Sequence, residues 1–484
     1  MPPPPRSAQP SDRSPRRGPV FEDQTPSPAN SDSARDRAGV IHPMTDLQRH
    51  DREGPLLITR GDGVMVYDED GKAYIEGVSG LWSVSLGFAQ KRLADAAYRQ
   101  LMELPSYHLF RHKSHPKAIE LAERLLGIAP VPMSKVFFAN SGSEANDTAI
   151  KLAWYYNNAR GRPEKKKIIG RIGGYHGITV ASGSLTGLAR NHADFDLPLP
   201  RFLHADCPSH WRYGLPGESE ADYAARLAAN LEALILREGP ETIAAFFAEP
   251  VIGSGGVIVP PRGYFDLIQP LLKKYDILFV ADEVICGFGR LGAMFGCQVY
   301  GLEPDMIAIA KGLSSGYVPI SAVMMNAKIW DACYAQSGKL GVFGHGFTYS
   351  GHPVAAAVAL EALDLYEEFD IVGNVQRLAP VLQAGVQSLA GHPLVGEARG
   401  IGFLGGWELV SDKATKAPFP SPGMVGLMAE RHCQARGVIL RALGDTLTTA
   451  PPLVATADDI ARIIAVVGEA LDATHADLQA GVTI

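Results

Sequence analysis

The sequence has no long hydrophobic run and little excess charge of either sign. None of its apolar stretches reaches the length of a transmembrane helix, so no membrane partner is expected. The formal net charge of −7 gives no reason to expect a nucleic-acid partner. The five cysteines are scattered and lack metal-ligand spacing. They predict neither a disulfide framework nor a metal site, and they favour the reducing environment of the cytoplasm.

Apolar residues are scarce at the N-terminus, where residues 1–38 are dense in Pro, Ser and Arg. This composition predicts a disordered, dispensable tail, or a start codon assigned too early. The tail lacks the apolar segment of a secretory signal, and its acidic residues argue against an organelle transit peptide. We expect the folded chain to begin near "IHPMTDLQRH".

Five short apolar strands are predicted to end in polar side chains, and helical stretches lie between most of them. The strands "KVFFAN", "KKIIGRIGGYHG", "TIAAFFAEP", "DILFVADEV" and "MIAIAKG" lead to Asn140, Tyr175 with His176, Glu249, Asp282 and Lys311. This alternation predicts an α/β protein with a mostly parallel sheet that is covered on both faces. Because ligands bind at the carboxyl ends of such strands, we expect these side chains to meet at one edge.

The loop "NSGSEANDTAIKLA" follows the first of these strands and predicts an anion site. Ser141 and Glu144 match the S-x-x-E capping box, so a helix should begin here. Gly142 permits close approach to the backbone, Ser143 adds a hydroxyl, and the free N–H groups attract phosphate. The alternative for this loop alone is a capped helix that binds nothing.

Lys311 and Asp282 are charged residues at the ends of apolar strands, so each needs a partner. Asp282 could form a structural ion pair with Arg290, or it could hold the protonated ring nitrogen of a ligand. Glu249 has the same two interpretations. A lysine beside a phosphate site, a buried aspartate and an aromatic ring fits pyridoxal phosphate, whose aldehyde forms a Schiff base with lysine.

The segment "GFGRLG" satisfies the G-x-G-x-x-G pattern of dinucleotide-binding proteins after a strand. Such a motif should open a helix near the start of a βαβ unit. The residues that follow, "AMFGCQVYG", are rich in Gly and aromatic residues and are poor helix formers. We therefore reject a nicotinamide-dependent oxidoreductase.

Six motifs together resemble the class III aminotransferases, the ω-transaminase group of fold-type I pyridoxal-phosphate enzymes. They are "NSGSEANDTAIKLA", "GGYHG", "AEPVIGSGGVIVPP", "VADEVICGFGRLG", "AIAKGLSSGYVP" and "HGFTYSGHPVAAAVALEAL". The resemblance runs from about residue 40 to the C-terminus. The segments "GLWSVSLGF", "LPSYHLF" and "GVILRALGDTLTTAPPL" are similar to the branch that uses amines or ω-amino acids with pyruvate.

The resemblance implies a large cofactor-binding domain with a mostly parallel central sheet, and a smaller α/β domain made from both chain ends. We assign residues 91–344 to the large pyridoxal-phosphate-binding domain. Residues 39–90 and 345–484 are then the N-terminal and C-terminal parts of the small domain.

The resemblance also implies the site residues. Lys311 would be the Schiff-base lysine and proton carrier, and Asp282 would pair with the ring nitrogen. The remaining cofactor contacts would come from Ser141, Gly142 and Ser143 at the phosphate, Tyr175 and Val284 on the two ring faces, His176 beside the ring, and Glu249 near the phenolic oxygen. Phe347 and Thr348 would reach the phosphate of a neighbouring subunit, which implies a homodimer or a dimer of dimers. The substrate pocket would contain Met44, Trp82, Tyr107 and Phe110, with Arg441 as a mobile arginine that binds carboxylates.

Some of these residues have other interpretations. Trp82 could be an ordinary core residue, Arg441 could form a structural salt bridge, and His345 and His352 are expected to shape their loop. Two positions depart from the family pattern. Ile252 stands where many members have glutamine, and Met44 stands where an aromatic residue is usual.

The implied reaction is ping-pong transfer of an amino group from an amine or ω-amino acid to pyruvate, which yields alanine. The partners would be a small-molecule amine donor and a 2-oxo acid acceptor. The alternatives are a fold-type I decarboxylase or aminomutase, a transaminase with another 2-oxo acid acceptor, and a cofactor-binding scaffold without activity.

Overall fold

The computed structural model describes residues 30–482. The strands are β1 (Ile58–Asp62), β2 (Met65–Asp68), β3 (Ala73–Glu76), β4 (Lys135–Ala139), β5 (Lys167–Arg171), β6 (Phe202–Ala205), β7 (Ile243–Ala248), β8 (Leu278–Asp282), β9 (Met306–Ile309), β10 (Ser321–Met325), β11 (Val395–Ile401), β12 (Leu404–Leu409), β13 (Val438–Ile439), β14 (Arg441–Leu443) and β15 (Thr446–Thr449).

The α-helices are α1 (Asp32–Gly39), α2 (Leu47–Glu53), α3 (Ser79–Trp82), α4 (Lys91–Glu103), α5 (Pro116–Ile128), α6 (Gly142–Ala159), α7 (Val180–Leu185), α8 (His210–Tyr213), α9 (Glu220–Glu238), α10 (Tyr264–Lys274), α11 (Gly296–Tyr300), α12 (Ala327–Leu340), α13 (Pro353–Glu368), α14 (Ile371–Ser388), α15 (Met424–Ala435) and α16 (Ala457–Gln479). Short 3₁₀ helices span Ala189–Asn191, Pro240–Thr242 and Lys311–Ser314.

A seven-stranded sheet forms the centre of the molecule, in the order β4-β10-β9-β8-β7-β5-β6. Only β10 is antiparallel to its neighbours, so the mostly parallel sheet predicted from the sequence is confirmed. Every residue of β7, β8, β9 and β10 is buried. Helices cover both faces of the sheet, which explains why these strands are apolar along their whole length.

The central sheet explains why the predicted site residues meet. Strands β9, β8, β7 and β5 are neighbours and run parallel, so their carboxyl ends lie side by side. Lys311, Asp282 and Glu249 follow or end three of them. Strand β5 ends at Arg171, earlier than the sequence suggested, and the loop after it carries Tyr175 to the same edge.

The smaller sheets belong to a unit built from both chain ends, as expected. In the sheet β1-β2-β3-β13, Ile75 of β3 pairs in parallel with Val438 of β13. A second, antiparallel sheet has the order β11-β12-β15-β14. Helix α14 packs against β11 and β12 and also contacts α16.

The N-terminal segment differs from its prediction. Residues 1–29 lie outside the described residues, but helix α1 forms within the stretch predicted to be disordered. Ser31 caps α1 by accepting a hydrogen bond from the Ala34 N–H, and Arg37 donates to the carbonyl of Asp51 at 3.0 Å. The disorder prediction is therefore wrong for residues 32–38. It judged apolar content only, and α1 buries no residue but is held by polar contacts.

The sequence also predicts that no helix spans a membrane and that the segment "GFGRLG" is not a dinucleotide site. Within residues 30–482, no helix combines the length and the hydropathy needed to cross a bilayer. The segment "GFGRLG" forms turns, and the next helix, α11, begins only at Gly296. The motif therefore does not open a helix, as a dinucleotide site requires.

Candidate active site

A cavity of about 170 Å³ lies at the carboxyl edge of the central sheet. Its lining contains eight of the residues predicted to bind the cofactor, from four strand ends and one helix start. They are Gly142, Ser143, Tyr175, His176, Glu249, Asp282, Val284 and Lys311, joined by Asn146, Gly177 and Ile285. Ser141, Phe347 and Thr348 are outside this lining.

One end of the cavity is formed by the start of α6. The Ser141 hydroxyl accepts a hydrogen bond from the Glu144 N–H at 3.2 Å, so the helix begins where the sequence predicted. The Glu144 carboxylate accepts from the N–H of Asn140, at 2.7 Å, which makes the capping box incomplete. The first N–H groups of α6 have no acceptor within the helix. A helix start of this kind favours a phosphate group as its ligand.

Glycine leaves room at the first position of α6. A Cβ atom at Gly142 would come within 3.1 Å of the Val284 side chain, so a larger residue would crowd this wall of the cavity unless Val284 shifted. The Ser143 hydroxyl accepts a hydrogen bond from the Ile178 N–H at 3.1 Å and keeps its own proton available for a ligand. These features fit a phosphate group between α6 and the loop of Tyr175.

Asp282 is buried at the end of β8 and is surrounded by donors. Its Oδ2 atom accepts hydrogen bonds from His176 Nδ1 and Asn146 Nδ2, both at 2.8 Å, and its Oδ1 atom accepts from the Val284 N–H at 3.1 Å. The predicted alternative, an ion pair with Arg290, is wrong. Arg290 donates instead to the Ser79 hydroxyl and to the carbonyls of Phe403 and Pro451.

Asn146 is the functional residue that the sequence analysis missed. Its amide bridges the Asp282 carboxylate and the His176 carbonyl, the latter at 2.7 Å. His176 Nε2 and Asn146 Oδ1 are buried without a hydrogen-bond partner among the described residues. A signal was available, because Asn146 stands one turn after Gly142 beside the apolar face of α6.

Glu249 holds the loop that carries Tyr175. Its two carboxylate oxygens accept hydrogen bonds from the N–H groups of Tyr175 at 3.0 Å and Gly253 at 2.9 Å. Burial raises the pKa of Glu249 above its ordinary value, and the charge of Asp282 acts in the same direction. Burial also raises the pKa of the Tyr175 hydroxyl.

Lys311 begins a 3₁₀ turn directly after β9 and has a φ of +47°. A lysine in this left-handed conformation costs on the order of 1 kcal/mol, a strain that is found where function demands it. Burial lowers the pKa of Lys311 to about 8, and the positive charge of Arg441 acts in the same direction, while Asp282 and Glu249 oppose it. The lysine is therefore much closer to its neutral, nucleophilic form than an exposed lysine.

This pKa predicts how the apoprotein captures pyridoxal phosphate. Only the neutral amine of Lys311 attacks an aldehyde, so the capture rate should rise about tenfold per pH unit and level off above pH about 8. Stopped-flow absorbance measures this rate. An Arg441→Ala variant, which loses a repelling charge, should show a higher midpoint. A midpoint near that of free lysine would contradict the burial of Lys311.

Arg441 belongs to the surroundings of the cavity although it is not part of the lining. Burial lowers its pKa, and the carboxylate of Glu430 opposes this shift. Within residues 30–482, its guanidinium forms no hydrogen bond or close ion pair, so the alternative of a structural salt bridge has no support. Burial lowers the pKa of a second arginine, Arg190, and the charge of Arg441 acts in the same direction.

The other residues predicted to bind substrate divide into two groups. Trp82 is buried in the main core, with an indole N–H that has no partner among the described residues. Met44, Tyr107 and Phe110 are exposed on this single chain. Phe110 lies against Gly346, where a Cβ atom would come within 2.9 Å of its ring, and thus next to Phe347.

The remaining predictions concern a loop and a substitution. His345 contacts the Thr148 hydroxyl at 2.9 Å and Lys151 Nζ at 2.8 Å, and burial lowers its pKa to about 4. A neutral, hydrogen-bonded imidazole of this kind is in keeping with a loop-shaping role. Ile252 is buried in a small apolar cluster with Cys207 and Ile258 and has no polar group to offer a cofactor.

The family follows from comparison with known proteins. The family model "Aminotransferase class-III" matches residues 47–471. The chain belongs to the class III aminotransferases. A curated relative from Oryza sativa subsp. indica, gamma-aminobutyrate transaminase 1, mitochondrial, is 52% identical over 438 residues, which are 90% of this chain and 85% of the relative.

Solved structures agree with this assignment. The omega transaminase from Pseudomonas jessenii in complex with PMP is 54% identical, with a TM-score of 0.91 over 92% of this chain and 98% of that chain. A thermostable omega transaminase variant, engineered for asymmetric synthesis of enantiopure bulky amines, is 53% identical with a TM-score of 0.91, over 92% and 99% of the two chains. Its substitutions replace a tryptophan, a phenylalanine and an arginine.

The aminotransferase uses pyridoxal phosphate, and its cavity fits this cofactor. The start of α6 and the Ser143 hydroxyl suit the phosphate, and Lys311 suits the aldehyde. Asp282 offers a buried carboxylate for a positively charged ring nitrogen. The family and its fold, fold type I, are thus both confirmed as the sequence predicted.

Proposed function

We propose that this aminotransferase moves an amino group from a ω-amino acid or an amine to pyruvate, which yields alanine. The observation that carries the proposal is Arg441, a cation with no close partner among residues 30–482 whose charge acts on both Lys311 and Tyr175. Such a cation suits the carboxylate of pyruvate and that of an amino-acid donor. Support also comes from the rice gamma-aminobutyrate transaminase and from a solved transaminase bound to L-ala, 53% identical to this chain.

The proposed mechanism assigns a separate task to each residue. Bound pyridoxal phosphate supplies the amino-group acceptor and an electron-withdrawing ring. Lys311 Nζ, once neutral, would remove a proton from the substrate carbon that bears the amino group and would return it to the cofactor carbon that receives the amino nitrogen. Asp282, oriented by His176 and Asn146, keeps the ring nitrogen positively charged, and the start of α6 binds the phosphate.

The engineered omega transaminase supports the proposed substrate pocket. Its three substituted residues have the same identities, order and spacing along the chain as Trp82, Phe110 and Arg441. That variant was engineered for bulky amines, which is consistent with positions that control the size and charge of the donor an enzyme accepts. We propose that Trp82 and Phe110 limit the donor group, and that Met44 offers a flexible wall.

Replacing Arg441 with alanine should raise the apparent KM for pyruvate and for ω-amino acid donors by about ten- to hundredfold. This is the size expected for loss of one charge-assisted, two-pronged contact with a carboxylate. The half-reaction with a donor that lacks a carboxylate, followed by cofactor absorbance without pyruvate, should change much less. Steady-state and single-turnover assays separate the two effects.

Arg436→Ala serves as the matched control, because Arg436 lies in the same C-terminal segment but pairs with Glu469 at 3.5 Å. Its kinetics should match those of the unsubstituted enzyme. If Arg441→Ala weakens both half-reactions equally, the arginine supports the fold or the cofactor, and the proposed recognition of carboxylates is wrong.

A panel of donors with pyruvate, scored by alanine formation, tests the proposed reaction. γ-Aminobutyrate, β-alanine, a diamine and an aromatic amine sample the donor classes, and 2-oxoglutarate and glyoxylate replace pyruvate in parallel. Alanine formation with at least one donor is the expected result. Carbon dioxide release, or turnover without an acceptor, would support the decarboxylase or aminomutase alternative.

We propose that the active site is completed by a second subunit. Phe347 and Thr348 directly follow Gly346, which packs against Phe110, and they lie outside the cavity lining, which suits a role in the site of a second subunit. Mixing inactive Lys311→Ala chains with an inactive Thr348 variant should restore activity, because mixed dimers contain one intact site. If the protein sediments as a monomer and is fully active in the assay at the same concentration, the proposal is contradicted.

The compartment remains a prediction. The sequence favours the cytoplasm, whereas the rice relative is named as mitochondrial. Imaging a C-terminal fluorescent fusion in the native cell tests this prediction directly.

A further inference from the structure

Three potential metal ligands converge in the N-terminal segment, far along the chain from the cofactor residues. Asp36 lies on α1, His42 on the connecting loop and His50 on α2. His42 Nε2 is 2.9 Å from Asp36 Oδ1 and 3.0 Å from Oδ2, and His50 Nε2 is 3.0 Å from the same Oδ1. All three side chains are at least partly buried, with exposed fractions of 17%, 29% and 10%.

The arrangement differs from an ordinary histidine–carboxylate pair. The two imidazole rings lie with their centroids 3.9 Å apart and their planes tilted by 30°, and both direct Nε2 to one carboxylate oxygen. Each Nε2 points either an N–H or a lone pair into the same small volume. Hydrogen bonds from His42 and His50 lower the pKa of Asp36, so the carboxylate is ionised at neutral pH.

We propose that Asp36, His42 and His50 bind one divalent transition-metal ion, for which zinc is the best fit. Neutral imidazole nitrogen and carboxylate oxygen are the ligand types that zinc accepts, and water would complete the coordination. Zinc bonds of about 2.0–2.2 Å place tetrahedral ligand atoms roughly 3.3 Å apart. The two separations between a histidine Nε2 and the Asp36 carboxylate therefore need to open by only a few tenths of an ångström, and all three ligand atoms lie within 4.8 Å of one another.

The proposed ion would join two helices that are not held by a hydrophobic core. Neither α1 nor α2 buries a residue, and the Arg37 side chain donates to the Asp51 carbonyl between them. Helix α2 is in turn attached to α15 through Glu53 and Arg431. Metal binding would thus fasten residues 32–50 to the C-terminal unit and fix the loop that carries Met44.

Titration of the metal-free holoenzyme tests the proposal. Calorimetry with zinc, and visible absorption with cobalt(II), should each detect one site per chain. Asp36→Asn and His42→Ala should each weaken binding by at least about tenfold, since even loss of a ligand's supporting partner costs that much. Zinc should also slow tryptic cleavage between residues 37 and 52 in the unsubstituted enzyme but not in the variants.

His432→Ala is the matched control, because His432 also contacts a carboxylate, Asp477, at 2.7 Å but lies outside the cluster of Asp36, His42 and His50. It should leave zinc binding unchanged. A melting curve for each variant separates loss of the ligand from loss of the fold. The proposal is overturned if the unsubstituted enzyme binds no zinc, or if Asp36→Asn and His42→Ala bind it as tightly as His432→Ala does.

Discussion

Replacing Lys311 with alanine should reduce transamination by at least about 10³-fold while the protein still folds. Under the proposed mechanism, the variant loses both the amine that captures the cofactor and the base that moves the substrate proton, and proton transfer alone contributes about 10²–10⁴-fold. Borohydride reduction followed by mass spectrometry should find pyridoxal phosphate attached to Lys311 in the unsubstituted enzyme and no attachment in the variant.

Lys165→Met provides the control for removing a buried lysine. Burial also lowers the pKa of Lys165 to about 8, but its amine donates to the carbonyls of Tyr275 and Asp276, outside the cavity. This variant should keep covalent cofactor and activity at temperatures below its melting point. Substantial activity of Lys311→Ala, measured without added amines, would refute the role of Lys311.

Substituting Asp282 with asparagine should lower kcat by at least about 10²-fold while pyridoxal phosphate is still bound. Asparagine has nearly the same size as aspartate, but its neutral amide cannot stabilise a positively charged ring nitrogen. One preorganised electrostatic contact is worth about 10²-fold in rate. The NH₂ group of the introduced asparagine would also face one of the hydrogen-bond donors that now surround the Asp282 carboxylate. A melting curve should therefore accompany the kinetics.

The adjacent Glu283 offers a matched carboxylate outside the cavity. It is fully buried and accepts hydrogen bonds from the N–H groups of Gly296 at 2.9 Å and Cys297 at 2.6 Å. Glu283→Gln should therefore change stability without slowing the reaction of the folded enzyme. Equal kinetic losses in the two variants would mean that Asp282 acts through the structure of this turn rather than on the cofactor.

The sequence was sufficient to predict the edge of the sheet at which the cavity forms. Lys311, Asp282 and Glu249 each follow or end an apolar strand, and parallel strands bring such residues together whatever their exact boundaries. The cofactor-binding assignments for Phe347 and Thr348 do not follow from the strand pattern, because they presuppose a second subunit. No pattern within one chain specifies how two chains meet.

Other parts of the structure could not be predicted from local patterns. Asn146 acts on Asp282 only because α6 packs across the sheet with this side facing the strands, and helix rotation is set by tertiary packing. Helix α1 was missed because its polar side chains find partners on α2. The spacing of Asp36, His42 and His50 matches no common ligand motif, so their convergence becomes visible only in three dimensions.

The pairing of β3 with β13 constrains how the chain reaches its fold during synthesis. Strand β3 leaves the ribosome several hundred residues before its edge partner Val438 is synthesised. The central sheet, from β4 to β10, is complete well before that point, so the large unit can fold first. Until β13 arrives, the nascent chain carries an open strand edge, which is the kind of surface that chaperones cover and that promotes aggregation when expression is fast.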